Sequence, residues 1–187
     1  MRLAFLAALA AMASGCAVFE NAPPATSSTW KTAFAGVWEI LNEGTEVRFV
    51  ECTVDEEASI AKFRDCERNE AMSFEVRGLE SRAGIQVMLR ETKTGSGWSL
   101  LRLVRSEDSG VTFVETIPYQ AIREAIDAGR LVGTSIGYCE GFAFTISSPG
   151  SDVSAFLHAY AGEWIKIAEI KRANQALQTT PMTRSEI

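Results

Sequence analysis

The chain has 187 residues, with 24 acidic against 18 basic side chains, a formal net charge of −6 and a single histidine. An acidic balance excludes the broad basic patch that nucleic acid demands, so no nucleic-acid partner is expected. With one histidine, no C-x-x-C pair, no H-x-x-x-H pair and no Gly-rich phosphate loop before a helix, neither metal nor other cofactor is expected.

Met1-Arg2 is a short basic start, Leu3 to Met12 is an unbroken apolar run, and the small residues Ala13-Ser14-Gly15 precede Cys16. This is the layout of a secretory signal peptide, too short to cross a bilayer. Ala13-Ser14-Gly15-Cys16 resembles the lipobox of bacterial lipoproteins. That resemblance implies cleavage before Cys16, a diacylglyceryl group on its sulfur and an acyl group on its new amine. Ala17, where that family uses Asp for inner-membrane retention, implies lipid anchoring in the outer membrane, facing the periplasm. The alternative is an ordinary signal peptide cut after Ala13 or Ala17, which also takes the protein out of the cytoplasm. The expected organisation is a signal peptide over 1–15, a lipidated N-terminus and flexible tether over 16–29, one globular domain over 30–173 and a disordered tail over 174–187. The tether reading rests on the Pro, Ser, Thr and Ala content of 21–29.

From Trp30 to Pro118 the hydrophobic period is mostly two, the signal of strands. Met72, Phe74 and Val76 alternate with polar neighbours, and Ile85, Val87 and Leu89 alternate with Gln86, Met88 and Arg90, where Met88 dilutes the pattern. Leu100 to Val104 is apolar apart from Arg102, and Val111, Phe113 and Val114 follow a turn. Short turns between these runs predict an antiparallel meander of about six or seven strands. Pro118 to Ala128 predicts a helix stopped by Gly129. Val132 to Ser147 predicts one long strand whose large apolar face carries a single acid, Glu140. Ser151 to Ala173 predicts a long helix, with Val153, Phe156, Leu157, Tyr160, Trp164, Ile167 and Ala168 on one stripe. The expected fold is therefore α+β: an antiparallel curved β-sheet or small β-barrel with a C-terminal covering helix.

Outside the cytoplasm, cysteines are expected to pair. Cys52 and Cys66, close in sequence on neighbouring strands, are the expected disulfide, worth about 3 kcal/mol in the chain-entropy model. Cys139 is then a buried thiol, an alternative partner for either, or an intermolecular link.

Catalytic chemistry finds little support. A serine or cysteine nucleophile needs a base, and His158 reads as a boundary residue on the last helix. Asp55-Glu56-Glu57 reads as a solvated turn. Glu140 needs a cationic partner or a raised pKa if it points into a core, and Arg102 is the candidate partner. Finally, Gly36-Val37-Trp38 at the start of the first strand resembles the G-x-W motif of lipocalins. The resemblance implies an eight-stranded barrel with Trp38 packed across one end and a small apolar ligand inside. The expectation is a non-enzymatic, membrane-anchored envelope lipoprotein binding such a ligand, with Trp38, Tyr138 and Glu140 lining the cavity. An envelope scaffold lipoprotein binding a partner protein, and a carboxylate-dependent hydrolase using Glu140, are the alternatives. The oligomeric state is not legible in the sequence.

Overall fold

The structure is a computed structural model, and it describes residues 17–41, 48–81, 84–95, 97–138 and 141–173, with the backbone alone at 136–138 and 141–143. Its centre is a closed antiparallel barrel of eight strands. Seven follow as a meander: β2 (Gly36–Leu41), β3 (Arg48–Asp55), β4 (Ile60–Asp65), β5 (Ala71–Leu79), β6 (Ile85–Glu91), β7 (Ser99–Arg105) and β8 (Val111–Thr116). The last, β11 (Ile165–Arg172), closes the barrel by pairing with both β8 and β2. Of the two sheet forms expected, the barrel is the one present.

The period-two pattern explains the wall. Phe74 and Val76 of β5, Val87 and Leu89 of β6, Leu101 and Leu103 of β7 and Val114 of β8 are buried in one interior cluster. Their strand neighbours Glu75, Arg77, Arg90, Arg102 and Glu115 form ion pairs on the outer face. Apolar inside and charged outside is the reverse of a membrane-spanning barrel. A short helix, α1 (Thr29–Phe34), lies across one end, with Trp30 and Phe34 buried beneath it.

Between β8 and β11 the chain leaves the barrel. It forms α2 (Tyr119–Asp127), β9 (Gly133–Tyr138), β10 (Gly141–Ile146) and α3 (Gly150–Ala159). β9 and β10 pair antiparallel, and β1 (Ala17–Phe19) adds to β10 in parallel. This satellite packs on the outside of the barrel. Met88 and Leu100, the outward residues of β6 and β7, join Phe19, Trp98, Phe144, Ile146 and Phe156 in a second core.

Four expectations are corrected. The predicted helix over 151–173 is α3 followed by the strand β11, so the terminal element completes the barrel wall and does not cover it. The chain turns at Ala161-Gly162-Glu163, where Gly162 lies against the Tyr160 ring: a Cβ there would meet the ring carbons at 2.8 Å. The predicted strand over 132–147 is the β9–β10 hairpin. The predicted tether is tied down from residue 17 onward. Ala17 and Phe19 are buried, Arg77 donates to the carbonyls of Ala22 and Pro23 at 3.0 and 3.3 Å, and the amides of Thr26 and Ser27 donate to the Gly78 carbonyl.

The fourth correction is the Cys52–Cys66 disulfide, since both thiols are free. Cys52 pairs with Phe63 across β3 and β4, whereas the Cys66 amide donates to the Phe49 carbonyl at 3.0 Å. Three residues of strand separate the two positions, about 10 Å, beyond the ~7 Å Cα limit for a disulfide. Cys52 is buried and Cys66 exposed. Cys16 and Cys139 lie outside the described residues.

Candidate functional site

The barrel encloses a cavity lined entirely by apolar side chains. Trp38 and Ile40 reach it from β2, Phe63 and Phe74 from β4 and β5, Leu101 and Val114 from β7 and β8. All stand on the inward face of their strands, which is why alternation along eight strands converges on one space. Measured for the centres of water-sized spheres the cavity is about 60 Å³. A single water needs roughly 10–15 Å³ by that measure and several polar partners. The space exceeds one water, and its lining offers none of the partners.

Aromatic rings set its floor. Phe34 stands edge-on to Trp30 at 5.9 Å and to Phe63 at 5.7 Å, and Phe63 stands edge-on to Phe74 at 5.7 Å. These are favourable centroid separations for T-shaped pairs. Trp38 is fixed at the same end. Its indole Nε1–H donates to the Phe34 carbonyl at 2.7 Å, and the Arg172 guanidinium lies 4.9 Å over its ring. Arg172 Nη2 also donates to the Thr32 carbonyl of α1 at 2.8 Å. The last barrel strand, the first barrel strand and α1 are therefore locked together through Trp38.

Beside α1 the same end of the barrel stays partly open. α1 packs on β3 and β6. Next to it runs a groove of about 590 Å³ by the same measure, bordered by Thr32, Ile85, Arg105, Thr112, Ile170 and Arg172. Trp38, Leu103 and Ile170 border both the groove and the internal cavity.

The expected site residues divide. Trp38 lines the cavity. Tyr138 stands on β9, in the satellite sheet and not in the barrel wall, so its strand does not bring it to Trp38. Glu140 lies outside the described residues. Arg102, expected to answer Glu140, donates to Glu115 from Nε at 2.7 Å on the outer face and covers the Trp164 ring at 4.3 Å. His158 is exposed on α3 and borders a separate cleft that includes Arg102, on the outer side of the wall.

Buried Asp65 is a polar group that the expected site did not include. Its Oδ1 accepts the amides of Glu67 and Arg68 at 2.9 and 3.0 Å, which caps the β4–β5 turn. Cys52, on the inward face of β3, is held as a neutral thiol. Burial, with the nearby Glu51 carboxylate second, pushes it up to about 12. A thiol so protonated is a poor nucleophile.

The chain matches no protein-family model, and neither the curated proteins nor the solved structures contain a significant match to it.

Proposed function

We propose that the barrel is a binding site for a small apolar ligand, carried by a non-enzymatic lipoprotein anchored through Cys16 in the outer membrane and facing the periplasm. One observation carries the ligand reading: the cavity at the centre of the barrel is larger than a water molecule and has a wholly apolar lining. Dry apolar cavities of this kind take up apolar molecules. The G-x-W resemblance at Gly36-Val37-Trp38 points the same way. The anchor reading rests on the lipobox resemblance. Because Ala17 is already buried in β1, a lipid on Cys16 would hold the domain close against the bilayer surface.

The ligand test is calorimetric titration with 1-octanol. One saturable site with a negative heat-capacity change is expected. Val114→Trp, which fills the cavity from the wall, should abolish binding while circular dichroism stays that of the folded barrel. Absence of saturable binding, or full binding in the folded Val114→Trp variant, would sink the ligand reading. The anchor is tested separately, by the mass of the Cys16 peptide from protein extracted from its own membranes. An unmodified Cys16, or a chain cut elsewhere, would remove the lipoprotein assignment.

A further inference from the structure

The groove beside α1 differs from the internal cavity in one respect: its rim carries polar groups on the inward face. On β7, Leu101 and Leu103 point inward and are buried, and Arg105 follows two residues later on the same face. Arg105 is registered with Thr112 across β7 and β8, and Thr112 with Ile170 across β8 and β11. Arg172 stands two residues beyond Ile170. One row across the mouth thus presents a guanidinium, a hydroxyl and an apolar side chain, and a second guanidinium stands one inward position further along β11, paired with Trp38.

Two of these groups are uncommitted. Thr112 is only 9% exposed, yet among the described residues its hydroxyl has no hydrogen-bond partner. It borders the groove and opens into it. The hydroxyl oxygen is not sealed off from the groove, so a ligand oxygen can reach it. Arg105 is exposed and likewise forms no ion pair among the described residues. Glu107 and Asp108, the acids nearest it in sequence, sit on the β7–β8 turn and do not border the groove. Arg172 is partly engaged, by Trp38 and the Thr32 carbonyl.

From this arrangement we propose that the groove binds the carboxylate head of an acidic single-chain amphiphile, whose tail enters the apolar cavity past Trp38, Leu103 and Ile170. The proposal rests on the barrel's being a ligand site and adds the ligand's class and its polarity within the barrel. A guanidinium matches a carboxylate in shape, offering two parallel N–H donors. The Thr112 hydroxyl supplies a further donor close to low-dielectric surroundings, where such a bond is strengthened. The three shared lining residues place head and tail positions next to one another.

The test compares octanoate, 1-octanol and acetate on the full protein at pH 8 by calorimetry. Octanoate should bind at least tenfold more tightly than 1-octanol, and acetate far more weakly than either. Arg105→Gln should weaken octanoate about tenfold and leave 1-octanol unchanged. Thr112→Val should do the same to a smaller extent. Arg105 is exposed, so its replacement leaves the fold intact. Equal binding of octanoate and 1-octanol, with no effect of Arg105→Gln, would overturn this inference and leave the barrel reading standing. Acetate binding as tightly as octanoate would overturn the amphiphile class by showing that the tail contributes nothing. No saturable binding of either eight-carbon compound would overturn both readings.

Discussion

Cys52 shows how one inward-facing position couples fold and pH. In the unfolded chain its thiol ionises near the ordinary value of 9.0, and in the folded barrel it keeps its proton up to about 12. The folded state therefore binds the extra proton. The stability linked to this group is fully present below pH 9 and is lost as pH rises from 9 to 12, at about 1.4 kcal/mol per pH unit. Cys66 and Tyr160 are also raised, chiefly by burial, and act in the same direction. Cys52→Ala should be less stable than the parent at neutral pH because a buried sulfur is removed. Its urea midpoint should nevertheless fall less steeply between pH 9 and 11. Parallel slopes for parent and variant would show that Cys52 ionises in the folded state as freely as in the unfolded one.

At the level of elements, Gly78 sets how closely α1 can approach the barrel. It stands on the inward face of β5. A Cβ there would fall 2.2 Å from the Ser27 carbonyl oxygen and 2.4 Å from Trp30 Cδ1. Backbone and a buried ring cannot both move aside cheaply, so Gly78→Ala should displace α1 at a cost of about 1–3 kcal/mol. For a chain of this size that lowers Tm by several degrees, at roughly 2–4 °C per kcal/mol. The fluorescence of Trp30 should shift to the red as its indole meets water. A variant with unchanged Tm and unchanged emission would mean that α1 is not held against β5. The same scale shows what was legible in the sequence. The alternation in β5 was plain because its inward and outward positions differ sharply in polarity, whereas in β6 and β7 the apolar outward residues Met88 and Leu100, which serve the satellite core, blurred it. The C-terminal stripe was misleading. Val153, Phe156 and Leu157 bury against the satellite core, whereas Ile167 and Ala168 pack on the barrel interior, so two separate apolar surfaces simulated one helical face. A bulge between Lys166 and Ala168 shifts the strand's phase and hides its period of two. Residues 17–28 looked unstructured because backbone groups hold much of the segment, as at Thr26 and Ser27, and composition does not report those. Trp38 could be found from its motif. Arg172 could not be placed above it while the last element was read as a helix, and Arg105 and Thr112 gain meaning only from cross-strand register.

For the whole molecule, the decisive fact is that β6 and β7 serve two cores at once. Val87, Leu89, Leu101 and Leu103 fill the barrel, while Met88 and Leu100 anchor the satellite on the opposite face. Phe19 and Trp98 exchange backbone hydrogen bonds at 2.8 Å in both directions, which ties β1 directly to the barrel's approach to β7. The satellite cannot unfold without uncovering Met88 and Leu100 on the barrel's outer wall. The barrel cannot unfold without removing the surface on which the satellite is built. Neither core is complete alone, so the two should melt as one cooperative unit. Scanning calorimetry should show a single transition with equal calorimetric and van't Hoff enthalpies. Met88→Ala and Leu101→Ala, one from each core, should each cost about 2–5 kcal/mol and shift that whole transition. Two resolved peaks, with Met88→Ala moving only one of them, would show instead that the satellite is an independent unit resting on a barrel that folds by itself.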